Sequence, residues 1–321
     1  MSSQPLVTIA IPTYNRAAEY LPAALRSTGA QTYEALEILV VDNASTDRTQ
    51  EVAEGYDHPG LRYIRQSVNV GPFRNFQRCL AEARGAYLLL LSDDDRIDPD
   101  FVETCVAALD GTPDVGYVRT GLRTIDKTGQ TLKEWRNETP PSAEHGSEAV
   151  LAWVKNQTYW ALCNTLYNTS HLRTLGGLPA EYPLTFDCHL SVQLAFAYGT
   201  VEVPGVKASF RQHQQQFGKG ADVRKWAEEY LALYDLILGT APRERRDEFR
   251  ALGDARFSSL LYDYAARTSD PGQLLRNYAY VYRALGPFRR RPPLRATAKR
   301  VGETTVQWVR RSFSSHRSAG V

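Results

Sequence analysis

The sequence predicts an α/β protein: a mostly parallel sheet flanked by helices, followed by a helical C-terminal appendage. Three observations predict it. Short apolar runs alternate with stretches of helical spacing through the first 120 residues. The runs are apolar throughout, as strands covered on both faces are, and do not alternate with polar residues. Beyond Asp222 the apolar residues recur at helical spacing only.

The elements follow in order. Leu6–Ile11 is a β-branched strand, and Ala17–Ser27 has helical spacing. Glu37–Val41 (Glu-Ile-Leu-Val-Val) reads as a buried strand. Thr46–Glu54 reads as a helix with Ser45 placed to cap it. Leu61–Ile64 is a short strand, Phe73–Ala83 a helix and Tyr87–Leu91 a fully buried strand. Phe101–Leu109 is helical after Pro99, and Val115–Arg119 forms a further strand. Residues 121–146 read as a long loop, on Asp126-Lys-Thr-Gly-Gln and Pro140-Pro141. Ser147–Asn156 is helical, and Cys163–Tyr167, Val201–Val203 and Lys207–Phe210 are short strands. Trp226–Leu238, Glu244–Ala266 and Gln273–Leu285 are helices. The boundary falls near Gly218–Gly220, giving an α/β domain over 1–218 and a helical region with a basic tail over 219–321.

Composition narrows the class. With 43% hydrophobic and 23% charged residues, the chain is neither mostly disordered nor a membrane bundle. A net charge of +2 excludes a generic polyanion binder, and no nucleic acid is expected as a partner. Cys79, Cys105, Cys163 and Cys188 are scattered, as reduced thiols are, with no zinc spacing. Met1 is not followed by a basic stretch and an apolar core, and no window approaches a spanning run. A cytoplasmic protein is expected.

In such sheets the ligand site lies beyond the carboxyl ends of the strands. Three segments follow those ends: Pro12-Thr13-Tyr14-Asn15, Asp42-Asn43-Ala44-Ser45 and Ser92-Asp93-Asp94-Asp95. Three adjacent carboxylates repel one another. A hard divalent cation, Mg²⁺ or Mn²⁺, is the simplest relief. On an extended chain Asp93 and Asp95 share a side. Standing alone, the triplet is equally a solvated turn ahead of the helix that begins after Pro99.

Ile9-Ala-Ile-Pro-Thr-Tyr-Asn-Arg16 resembles the opening signature of the inverting family 2 glycosyltransferases. Val41-Asp-Asn-Ala-Ser-Thr-Asp47 resembles their second signature. Asn69-Val-Gly71, Arg74-Asn75, Ala83-Arg-Gly85 and Ser92–Asp95 resemble their central block. No single piece is specific; four in order over residues 6–100 are. The resemblance implies the GT-A fold, a nucleotide-binding domain merged with an acceptor-binding half. It implies that Pro12, Thr13, Tyr14 and Asn15 line the nucleoside pocket. It implies that Asp42 accepts from N3–H of a uracil or thymine, and that Arg74 or Asn75 lies near the base or sugar. Asp93 and Asp94 fall at the donor's phosphates. Asp93 and Asp95 match the family's Asp-x-Asp metal element, Asp95 being the stronger candidate. Ser92 departs from an element that often opens with Asp, so Asp94 with Asp95 is the other pairing. Taken singly, Tyr14 reads as a core aromatic and Asp42 as a helix cap.

The second half matches less closely. Leu166–Leu178 resembles the block ahead of the family's catalytic base, and Asp187, with Leu190, Leu194 and Ala195 after it, falls on that base. Phe186 replaces the usual acid before it, and Asp187 is alternatively a cap on the following helix. Arg211-Gln-His213 resembles an Arg-x-His element whose His completes the metal shell or touches the diphosphate; the other reading is a surface His.

The resemblance therefore implies metal-dependent, inverting transfer of a sugar from a UDP- or dTDP-sugar to a hydroxyl or amine on a saccharide or small-molecule acceptor. The alternative is a degenerate, nucleotide-binding partner subunit, favoured by Phe186 and Ser92 and opposed by the three acids at 93–95. A Rossmann Gly-x-Gly-x-x-Gly and a Walker loop are absent after the first strand. From Arg289 to Arg317 there are nine Lys or Arg and one acid, Glu303. With Val301, Thr305, Trp308 and Val309 near helical spacing, Leu294–Phe313 reads as a basic helix, packed on the protein or peripheral at the inner membrane face.

Overall fold

The computed structural model describes residues 4–112, 114–137, 146–214, 216, 218, 220–268 and 270–286. The chain divides into two compact units, Met1–Lys219 and Gly220–Val321.

The first unit is built on a nine-stranded sheet. Strand β1 (Val7–Thr13) lies between β2 (Leu36–Asp42) and β4 (Tyr87–Leu90), parallel to both, and β3 (Leu61–Arg65) extends the row beyond β2. Every residue of β1, β2 and β4 is buried, which explains why their sequences are apolar throughout. Helix α1 (Leu21–Gly29), α2 (Thr49–Glu54) and α3 (Pro72–Glu82) cover this half. Phe76, Cys79 and Leu80 are the buried face of α3, which packs on β1, β2 and β4. The register sets the strand ends. Thr13 pairs with Asp42, while β4 ends opposite Ala10. The segment after β4 therefore runs on toward the level where β1 and β2 release their loops.

The other half is mixed. Strand β8 (Thr165–Asn168) is antiparallel to both β4 and β6 (Tyr117–Ile125), and β6 is parallel to β9 (Thr200–Arg211). The two-residue strand β5 (Arg96–Ile97) pairs with Ser209 and Ala208 of β9. The expected parallel pairing thus holds for the first four strands of the row and gives way beyond them.

Two differences from the sequence reading have simple causes. Residues 121–146 are not one loop: β6 continues to Ile125 and turns into β7 (Thr131–Trp135). The turn at Asp126 was correctly legible, because its carboxylate accepts from the N–H groups of Thr128 and Gln130. Strand β7 is Thr-Leu-Lys-Glu-Trp, exposed except at Trp135, and its two apolar residues do not make a strand pattern. The expected strands at 201–203 and 207–210 are one strand. Pro204-Gly205 is extruded as a register shift opposite Gly121. A Cβ on Gly121 would lie 2.6 Å from the carbonyl oxygen of Trp135, so this crossing requires glycine.

Helix α4 (Phe101–Ala107), α5 (Ser147–Val154), α6 (Thr169–Thr174) and α7 (Phe186–Tyr198) complete the unit, with α7 packed on α5, α6 and β6. Among the described residues the second unit holds three mutually packed helices, α8 (Val223–Thr240), α9 (Arg246–Ala265) and α10 (Pro271–Leu285). Asp222 caps α8, and Asp270 caps α10. The four cysteines are buried, and none is in a disulfide. No helix among the described residues is long and apolar enough to cross a membrane. The basic segment Leu294–Phe313 and the Pro140-Pro141 pair lie outside the described residues.

Candidate active site

The loops leaving β1 and β2 are stapled to each other by their own polar side chains. Asp42, fully buried, accepts from the N–H and hydroxyl of Ser45 at 2.9 and 2.5 Å and from the Tyr63 hydroxyl at 2.6 Å. The Ser45 hydroxyl accepts from Asn15 N–H at 2.9 Å, and the Asn15 side chain accepts from Thr46 N–H at 2.8 Å. Asp47 accepts from Ala17 N–H at 3.1 Å, and from Thr49. Asn15 and Ala44 take positive φ, 54° and 61°, a conformation that only such a network holds for residues bearing a Cβ. Ser45 is thus a loop fastener rather than the expected cap of α2.

The residues expected at the nucleotide divide into floor and surface. Pro12 and Thr13 are buried, Asp42 is committed to Ser45 and Tyr63, and Asn75 is sealed under α3. The Asn75 amide donates to Val41 carbonyl oxygen at 2.8 Å and accepts from Gln66 at 2.8 Å. Tyr14, Asn15 and Arg74 are exposed at the mouth. The loop at Asn43 is pinned to the segment before α3 by paired bonds with Asn69 and Val70, each 2.9 Å.

The acidic triplet is not extended. Asp95 N–H donates to Ser92 carbonyl oxygen at 3.0 Å, so residues 92–95 form a turn and the side chains do not alternate. Asp95 is 2% exposed, accepts from Arg211 N–H at 2.8 Å and meets the Cys163 thiol. The turn removes the extended backbone on which the expectation that Asp93 and Asp95 share a side was built. Asp93 and Asp94 keep solvent access. Asp94 is held 2.6 Å from His213 Nε2. Asp93 lies 3.9 Å from Arg16 Nε. Burial, then the charge of Asp94, pushes the carboxyls of Asp93 and Asp95 up. Tyr20 joins the basic groups: its ring is 5.0 Å from the His213 ring, 5.0 Å from Arg211 Cζ and 5.7 Å from Arg16 Cζ. The strand pairing of β5 with β9 brings this about, since it lays Arg211 and His213 over the triplet.

Among the described residues no three His, Cys, Asp or Glu side chains converge as a closed metal site. The donor set nevertheless fits a hard cation. Mg²⁺ keeps several waters and binds through one or two carboxylates plus substrate phosphates, so an open pair such as Asp93 and Asp94 suffices. Their mutual repulsion is what a cation relieves.

Asp187 stands in the first turn of α7, half-buried, accepting from Cys188 N–H at 2.8 Å. Burial raises its carboxyl above the usual range. Phe186 explains the missing acid before it. Its ring packs 5.4 Å from both Phe73 and Phe76 of α3, sealing α7 to the helix that packs on β1, β2 and β4. The structure brings Asp93, Asp94 and His213 together. No hydrogen bond or ion pair joins Asp187 to them. Sequence reasoning missed Arg16 and Tyr20 as partners of the triplet, although Arg16 closes the opening motif.

Comparison with known proteins decides the family. Residues 8–172, just over half of the chain, match the model "Glycosyl transferase family 2". The chain belongs to that family. Abequosyltransferase RfbV of Salmonella typhimurium is 39% identical over 138 residues, 41% of this chain and 39% of that protein. Chondroitin synthase of Escherichia coli is 32% identical over 149 residues, 46% of this chain and 21% of that one. The matched stretch thus spans less than half of either relative. Among solved structures, S. aureus TarS in complex with UDP-GlcNAc superposes with a TM-score of 0.64 at 16% identity, covering 88% of this chain and 82% of that one. A mannosyltransferase from Pyrobaculum calidifontis, in complex with GDP-Man and Mn²⁺, gives 0.58 at 18% identity over 96% and 81%. The fold of this family member is accordingly GT-A.

Proposed function

We propose that the crevice at the carboxyl ends of β1, β2 and β4 holds a nucleoside-diphosphate sugar, of uridine or thymidine type. The chain transfers that sugar, with inversion, to a hydroxyl or amine of a saccharide or small-molecule acceptor. The observation that carries this reading is the arrangement at the crevice mouth: solvent-reaching Asp93 and Asp94 in one turn, faced by Arg16 and His213. Relatives solved with UDP-GlcNAc, or with GDP-Man and Mn²⁺, support a diphosphate-sugar donor and a divalent ion.

Asp93 and Asp94 would hold Mg²⁺ or Mn²⁺, with His213 beside them. The ion supplies Lewis-acid stabilisation of the departing diphosphate. Arg16 and Arg211 add fixed positive charge where negative charge grows. The stapled loops 13–17 and 42–47 fix the donor's position without reorganisation. Asp42 and Asn75 serve as the rigid floor beneath the base, and Tyr14 offers its exposed ring as the wall. Asp187 takes the acceptor's proton. Its raised carboxyl pKa suits a base working near neutral pH.

Calorimetric titration with UDP, dTDP, GDP and ADP, with and without Mn²⁺, tests the donor reading. Micromolar, Mn²⁺-dependent binding of UDP or dTDP alone is expected. Folded protein that binds none of the four refutes it. Asp187→Asn is expected to keep donor binding and lose transfer, and near-normal turnover would remove Asp187 from its role. Contact of the basic tail with an anionic membrane is tested by liposome sedimentation of the chain with and without residues 287–321. Equal sedimentation refutes it.

A further inference from the structure

A fully buried guanidinium lies beneath the first turns of α7. Arg119, on β6, is 0% exposed. Its Nε donates to the Thr165 hydroxyl of β8 at 2.9 Å and its Nη2 to the Ser191 hydroxyl of α7 at 2.8 Å. Its Cζ sits 4.4 Å from the ring centroid of Tyr117 and 4.5 Å from that of Trp160. The guanidinium thus fastens three elements and is walled by two aromatic rings.

Such a charge is expensive to bury unless anions compensate it. Glu202 of β9 is the nearest carboxylate, 3.9 Å from Nη1, and that is too far for a hydrogen bond. Burial lifts the Glu202 carboxyl to about 7, against the pull of Arg119, so below neutral pH Glu202 is largely uncharged. Nη1 donates to the neutral Tyr117 hydroxyl at 3.3 Å, and Glu202 Oε2 is buried there without a hydrogen-bond partner. Local groups therefore compensate Arg119 incompletely. Burial raises the Asp187 carboxyl, and the charge of Arg119 draws it the other way. Ser191, which the guanidinium grips, lies one helical turn after Asp187 on the same face.

We infer that Arg119 is the positioning residue for Asp187: through Ser191 it fixes the first turns of α7 against the sheet, and it sets a buried positive charge beneath the turn that carries Asp187, without touching substrate. The catalytic meaning of this rests on the reading of Asp187 as the base. The other titratable groups facing this end of α7 are Tyr117 of β6, Tyr167 of β8, Glu202 of β9, Cys188 and His189 of α7 itself, and Tyr182, whose ring stacks on His189 at 3.9 Å. Helix α3 presents only the rings of Phe73 and Phe76. His171 of α6 stacks on Tyr198 at the far end, and the acid of α5, Glu148, is exposed.

The test is a carboxyl titration of the full chain labelled with ¹³Cγ-aspartate, the Asp187 resonance being the one missing from Asp187→Asn. Arg119→Gln is expected to raise the Asp187 midpoint by about one pH unit, and Arg119→Lys, which keeps the charge, to leave it in place. An unmoved midpoint in folded Arg119→Gln overturns the inference. Should Arg119→Gln fail to fold, Ser191→Ala decides, because it releases the grip on α7 and keeps the charge. Amide exchange at His189–Val192 is then expected to quicken about tenfold while the midpoint stays; wild-type exchange overturns the inference. Undiminished sugar transfer by Asp187→Asn would sink the base reading alone and leave the titration result standing.

Discussion

Asp95 gives the sharpest test of how the acidic triplet works. Its carboxylate is 2% exposed and accepts from the buried Arg211 N–H at 2.8 Å. Asp95→Ala removes a charge-assisted bond and strands that donor, at a cost of about 2 kcal/mol. For a unit of this size such a loss lowers Tm by about 4–8 °C. Asp95→Asn keeps an oxygen where Arg211 N–H needs one and removes only the charge. It also removes the repulsion from Asp94 that burial makes costly. If Asp95 is a strut, Asp95→Asn melts close to wild type and binds UDP with undiminished Mn²⁺ dependence. Asp93→Asn should then melt normally and lose the Mn²⁺-dependent part of its affinity. Paired calorimetry and thermal melts on the two variants measure both quantities. A folded Asp95→Asn that loses Mn²⁺-dependent affinity as Asp93→Asn does would refute the reasoning and restore Asp95 as a ligand.

Other expectations can be checked on the same footing. Ser45→Ala breaks bonds to Asp42 and to Asn15 N–H at once, and should cost about 1–2 kcal/mol by chemical denaturation. Phe186→Ala, which opens the seam against Phe73 and Phe76, should cost about 3–5 kcal/mol. Little change in its melt would show that the ring is not the seal between α3 and α7. Glu202 gives a pH prediction. Its carboxyl is raised in the folded state to about 7, so the folded chain holds this proton more tightly than the unfolded one. The favourable contribution is complete at acid pH and is lost as pH climbs from the ordinary Glu value through about 7. Glu202→Gln should therefore gain on wild type by up to about 3 kcal/mol between pH 5 and pH 8 in urea melts. A constant difference would show that Glu202 titrates normally.

What could be read from the sequence depended on whether the determining contact was local. Strands β1, β2 and β4 were legible because burial on both faces writes an uninterrupted apolar run. The segments that open the site were legible because ligand loops follow strand ends. Strand β7 was not, since four of its five residues are exposed and what holds it, pairing with β6 and the Trp135 ring against Tyr159, is not local. The roles within the acidic triplet were not legible either, and for a related reason. Alternation assigns sides only while the chain stays extended. The Ser92–Asp95 turn abolishes alternation, and its direction is set by residues far along the chain, since β5 pairs with β9 and delivers Arg211 to Asp95 and His213 to Asp94. Phe186 carries the same logic into the base. Read locally, it is a lost acid and an argument for a degenerate site. Set beside Phe73 and Phe76, it is the contact that fixes the start of α7, and a fixed helix start is what a proton-accepting Asp187 requires.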